Sequence, residues 1–207
     1  SRFHGSTPKQ AKLNGARLHL FNPLLIKIIL EGGSVMDYRM EHKKQQQFVA
    51  MVRDFPNEII NDDNDHSVSD FWAECYKKDL IEPMRQLRAD GKRDLYGLCS
   101  PARDNETHFK YGIGVFIDED TDRTGVQRLL EKGYSMWKTE PADYAVFKCM
   151  GTDGDCIGET WSKFYKEFLP QTGYEQTDET DYEIYYEKGE SGLFCELWIP
   201  VGRAGSV

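Results

Sequence analysis

The chain has 207 residues, is 39% hydrophobic and 13% aromatic, and carries a formal net charge of −9. That length and apolar content support one or two small domains with a real core and exclude a disordered chain. The acidic balance excludes a basic, phosphate-binding face for the chain as a whole and leaves cationic partners as the favoured class, beside plain solubility.

Residues 1–16 are polar, and Thr7-Pro8 is a helix-start pair, with Thr at the N-cap and Pro at the first helical position. Residues 18–30 favour extended structure around Pro23, and Glu31-Gly32-Gly33 marks a turn. The longest apolar run, Leu24 to Leu30, is interrupted by Lys27 and is too short to span a bilayer, so no membrane partner is expected. The start lacks the form of a signal peptide, and the opening serine points to an excised fragment.

Residues 35–42 alternate as a strand does, and 47–54 form the next strand. Asn61 to Asp70 is an acidic loop ending in a Ser69 or Asp70 cap, before a helix over Phe71 to Leu87 that Pro83 kinks or divides. Strands follow over 94–100 and 108–117, then the acidic turn Asp118 to Asp122. A helix over Thr124 to Lys132 closes at Gly133. Strands over 134–140 and 143–150, a helix over 157–169 ending before Pro170, and strands over 182–187 and 193–201 complete the pattern, with 202–207 as a loose tail. The acidic turns lack the glycine and distal glutamate of a calcium loop, so solvated turns and no metal site are expected. No dinucleotide, phosphate-loop or nucleophile-elbow motif is present, so no cofactor is expected. The five cysteines are odd in number and lack a CxxC spacing, as expected of reduced thiols in a cytoplasmic protein.

The same unit occurs twice. Phe48 to Phe55, Phe71 to Leu80 and Tyr111 to Ile117 match Tyr144 to Met150, Thr160 to Leu169 and Cys195 to Val201. Trp72, Tyr76 and Leu80 repeat the spacing of Trp161, Tyr165 and Leu169, one stripe on each helix. Each copy is strand, helix, strand, strand, so the expected fold class is α+β, a tandem duplication with antiparallel sheets and a cleft between two pseudo-symmetric repeats. Aligning Val115-Phe116-Ile117 with Leu197-Trp198-Ile199 puts Gly114 opposite Glu196. A carboxylate within an apolar strand is costly unless compensated, which makes Glu196 the leading candidate for a site residue.

Three stretches carry a resemblance. Gly5-Ser6-Thr7-Pro8 resembles the end of the second helix-turn-helix of AraC-type transcription regulators. Leu20-Phe21-Asn22-Pro23-Leu24, Gly32-Gly33 and Met36-Asp37-Tyr38-Arg39 resemble the connector of that family. Glu196 to Val201, with Trp161 and Tyr165 before it, resembles the effector-binding domain similar to the bacterial DNA gyrase inhibitor protein. The resemblance implies residues 1–34 as a remnant of the DNA-binding region and linker, and 35–202 as the effector-binding domain. The two repeats then span about 35–118 and 134–202. It implies a bacterial, cytoplasmic sensor of small cationic or amphipathic molecules, touching DNA only through a helix-turn-helix region that this chain largely lacks.

On that reading Glu196 meets the ligand's charge, and Trp161, Tyr165, Tyr111, Trp198, Phe147 and Trp137 supply the wall or rim. Phe147 is read as a core residue ahead of a lining one. A second reading makes the protein a hydrolase of reactive natural products, with Glu196 as general base at a pKa raised by its apolar cleft. A third is a protein-interaction module of the gyrase-inhibitor type, using a sheet edge or the acidic loop.

Overall fold

The computed structural model describes residues 36–61, 65–101 and 107–203. The Thr-Pro turn and most of the connector lie outside the described residues. Strands β1 (Arg39–Lys43) and β2 (Gln47–Pro56) precede helices α1 (Ser67–Lys77) and α2 (Glu82–Arg85). Then come β3 (Leu95–Ser100), β4 (His108–Ile117), α3 (Arg123–Glu131), β5 (Ser135–Lys138) and β6 (Ala142–Met150). Helix α4 (Asp155–Lys163) runs through a π-helical turn, Phe164–Phe168, into α5 (Leu169–Thr172), before β7 (Tyr174–Gln176), β8 (Asp181–Tyr185) and β9 (Leu193–Arg203).

The strands form one antiparallel sheet in the order β1-β6-β9-β8-β3-β4-β2-β5, with β7 added on β9. The expected α+β class and duplication are present. Strands β6, β9 and β8 mirror β2, β4 and β3 about the central β3–β8 seam. The registers show how close the mirroring is. Tyr96 pairs with Ile184 at the seam; outward, Tyr96 faces Gly114 and Ile184 faces Glu196. One row further, Trp137–Phe48–Phe116 in the first unit matches Arg39–Val146–Trp198 in the second. Gly114 and Glu196 are therefore equivalent positions, as the alignment expects.

Alternation along each strand sends side chains to two faces. On the helix face, two apolar clusters form: Phe71, Cys75 and Met84 pack on Val49, Ile113 and Val115, and Trp161, Phe164 and Phe168 pack on Phe147, Leu197 and Ile199. The other face carries a third cluster of Phe48, Leu98, Trp137, Tyr144, Tyr182 and Trp198. All five cysteines are buried and unbridged.

Several boundaries differ from the sequence reading. Helix α1 begins at Ser67, whose backbone N–H and hydroxyl both donate to Asp65, so the start lies before Ser69. The expected helix over 71–87 is cut at Asp79, which takes φ 53°, and Pro83 sits in the first turn of α2, where its missing N–H costs nothing. Pro170 does not end the second helix either: it lies where the π turn passes into the α5 segment, and Gly173 at φ 70° makes the stop. The π turn holds Phe164 and Phe168 stacked at 5.3 Å on the core side.

Candidate functional site

Between the two repeat helices the helix face is not filled. α1 presents Val68, Trp72 and Tyr76, α4 presents Ile157 and Trp161, and the floor is the β3–β8 seam with Tyr111 of β4 beside it. The resulting cleft holds about 560 Å³, within the range of small-molecule sites. Aromatic side chains form much of its wall. Trp72 meets Tyr185 edge-on at 5.2 Å and stacks on Tyr76 at 6.2 Å. Tyr76 is 55% exposed, so a large aromatic surface stands open to solvent here.

Two carboxylates lie on the floor, Asp181 and Glu183, with Asp65 and Glu187 also lining the cleft, and Glu183 is the one that the seam and the tyrosine of β4 position. Strand β8 alternates so that Asp181, Glu183 and Tyr185 share the helix face, while Tyr182 and Ile184 join the opposite cluster. Glu183 pairs across the seam with Gly97, and the missing side chain there makes its room: a Cβ on Gly97 would come within 2.2 Å of Glu183 Oε2 and 2.4 Å of the Tyr111 hydroxyl. A short relay orients the acid. Trp72 Nε1–H donates to the Tyr111 oxygen at 3.0 Å, and the Tyr111 hydroxyl donates to Glu183 Oε2 at 3.1 Å. Burial, then the nearby Glu183 charge, pushes the Tyr111 phenol well above its ordinary value, so it remains a donor. Tyr185 is raised by the same two causes.

Glu196 lies on the other face. It is 6% exposed and held from three sides. Arg39 Nη1–H and Nη2–H donate to its two oxygens at 2.7 Å each, a bidentate pair. Tyr186 O–H donates to Oε2 at 2.7 Å and Trp198 Nε1–H at 3.2 Å. Burial pushes this carboxyl up, but the hydrogen bonds from Arg39, Tyr186 and Trp198 outweigh it, and the net shift is downward. This corrects the expectation of a raised pKa suited to a general base. Arg39 stands where the first unit has Trp137, which lies over Gly112 beside Gly114. One unit fills this place with an indole over Gly112, the other with an arginine–glutamate pair.

The other candidates divide between these places. Trp161 and Tyr111 line the cleft. Tyr165 stacks on Trp161 at 5.9 Å, but its hydroxyl turns to Gln176 of β7. Phe147 is core beneath α4, 1% exposed. Trp198 and Trp137 belong to the opposite cluster, where Trp137 Nε1–H donates to the Thr180 hydroxyl at 3.3 Å. The residues that the sequence reading did not single out are Glu183, Tyr185 and Gly97. The pattern Asp181-Tyr182-Glu183-Ile184-Tyr185 held a signal, acids and an aromatic at period two in a strand that proves central.

Residues 39–201 match the family Cass2, integron-associated effector binding protein. The chain belongs to this family. Among solved structures it is similar to SAV2435 bound to tetraphenylphosphonium, at 16% identity and TM-score 0.64 over 81% of this chain and 94% of that one. It is also similar to a putative bacterial transcription regulation protein from Staphylococcus aureus, at 18% identity and TM-score 0.60 over 80% and 98%. An integron cassette protein of Vibrio cholerae matches at 16% identity and TM-score 0.56 over 80% and 95%. At these identities the likeness is one of fold. A comparison with curated proteins finds no match. Among the described residues no helix is long and apolar enough to cross a membrane.

Proposed function

We propose that this effector-binding domain takes a small, aromatic, cationic or amphipathic molecule into the cleft between α1 and α4, with Glu183 as its anionic anchor. The observation that carries the reading is a carboxylate set on the floor of an aromatic cleft by a glycine opposite and a tyrosine–tryptophan relay behind it. A cation there gains charge attraction from Glu183 and quadrupole attraction from the faces of Trp72, Tyr76 and Tyr185. Tetraphenylphosphonium bound to a protein of the same fold supports this ligand class. Binding at about micromolar strength corresponds to about −8 kcal/mol.

As a finer reading, the domain is the sensor of a bacterial transcription regulator of the AraC type. The binding would act on the rest of such a regulator only by favouring one of two states. Glu196 as the base of a hydrolase is disfavoured, because its oxygens accept bonds from three side chains and it faces away from the cleft.

Calorimetry with tetraphenylphosphonium and its anionic isostere tetraphenylborate tests the reading, since shape and apolar area are nearly equal. The cation is expected to bind at least tenfold more tightly. Equal affinity, or preference for the borate, would remove the anionic anchor from the account.

A further inference from the structure

The cleft also contains a cation. Arg85, the last residue of α2, lines it together with Glu183. Its Nε is buried and has no hydrogen-bond partner among the described residues. Among the described residues no ion pair includes it: Arg93 takes Glu82 and Glu187, and Arg88 takes Asp90 and Asp118. A guanidinium is a fixed fork of donors with no acceptor, so a buried N–H that nothing accepts is a standing cost to the fold. Such a group at the wall of a ligand cleft is open to an acceptor that arrives with the ligand, and a carboxylate is the strongest partner for it.

We infer that the cleft is built for a dipolar ligand, one whose cationic, aromatic part sits at Glu183 and whose carboxylate or comparable oxygen acceptor pairs with Arg85. This rests on the cleft reading above and narrows it. A cleft with acids alone would favour any greasy cation. Adding one under-satisfied arginine to it favours molecules that carry both charges over those that leave its buried Nε–H unmatched.

The test uses alkyl triphenylphosphonium ions that share one cation and differ at the chain end. (3-Carboxypropyl)- and (4-carboxybutyl)triphenylphosphonium are compared with pentyltriphenylphosphonium by calorimetry on the whole chain. At least one of the acids is expected to bind wild type five-fold or more tightly than the pentyl ion. In Arg85→Met that advantage should fall to within two-fold, and Arg85→Lys should retain part of it. Lysine keeps the charge, so its partial rescue separates recognition from a general loss of fold. The inference is overturned if neither acid is preferred by wild type, or if the preference survives in Arg85→Met. Failure of the cleft reading looks different: the pentyl ion itself then fails to bind, or binds wild type and Glu183→Gln equally, and the inference falls with it.

Discussion

Gly97 and Glu183 face each other across the seam between the two repeats, and the absence of a side chain on the first makes the space that the carboxylate of the second occupies. The seam joins equivalent strands, so a fully symmetric pair of repeats would place the same kinds of residue on both sides. The cleft acquires its sign because they do not. Leu95 and Tyr185 form the neighbouring pair on the same face, and both line the cleft.

Gly97→Ala should therefore harm binding more than folding. The atoms that the new methyl meets are the ends of two side chains, so the fold relaxes at a cost of about 1–3 kcal/mol, while Glu183 and the Tyr111 hydroxyl are pushed out of place. Urea unfolding should show that modest loss, and calorimetry with tetraphenylphosphonium a ten-fold or greater drop in affinity. Unchanged affinity in a folded variant would mean that the position of Glu183 is not what the ligand senses.

Tyr111→Phe removes one oxygen that both accepts from Trp72 and donates to Glu183. The indole N–H then loses its acceptor, at about 1–2 kcal/mol of stability. Affinity for tetraphenylphosphonium should fall several-fold because Glu183 is no longer fixed. A double-mutant cycle with Trp72→Phe should show the two changes to be strongly non-additive; simple additivity would break the relay.

Glu196 was the most prominent residue in the sequence, and the structure shows what compensates it: Arg39 from β1, Tyr186 just past β8, and Trp198 two residues on. Glu196→Gln keeps the shape but loses the bidentate pair. Arg39 is 41% exposed and recovers much of its hydration, so the expected cost is about 1–2 kcal/mol rather than the larger penalty of a fully buried pair. Chemical denaturation measures it directly, and a neutral result would show the pair to contribute nothing.

The pH dependence of that difference follows from the direction of the shift. The folded-state pKa of Glu196 is below its ordinary value of 4.5, so its contribution is fully present above that value and is lost as pH falls through the folded pKa. The stability gap between wild type and Glu196→Gln should stay constant from about pH 7 to about pH 5 and close below about pH 4. A gap that widens on acidification would mean that the carboxyl is raised instead.

The duplication, the strand and helix types and the equivalence of Gly114 with Glu196 were legible because period-two and helical spacing are local properties of the chain. The site was less so. Alternation shows that Glu183 and Tyr185 share a face, but not that β8 lies at the seam or that its odd-numbered residues face the helices. Those facts depend on cross-strand register with β3 and on the empty place at Gly97. In the same way, Glu196 looked uncompensated because Arg39 is 157 residues away in sequence. Trp161 and Tyr165 share one helical stripe, yet only the first lines the cleft, because β7 offers Gln176 to the second.

The most direct test of the central claim is tetraphenylphosphonium binding to Glu183→Gln and Glu196→Gln, measured side by side by calorimetry. The account predicts a ten-fold or greater loss for Glu183→Gln, about 1.4 kcal/mol or more, with Glu196→Gln within about two-fold of wild type. Loss in Glu196→Gln with Glu183→Gln unaffected would contradict it and return the ligand to the other face of the sheet.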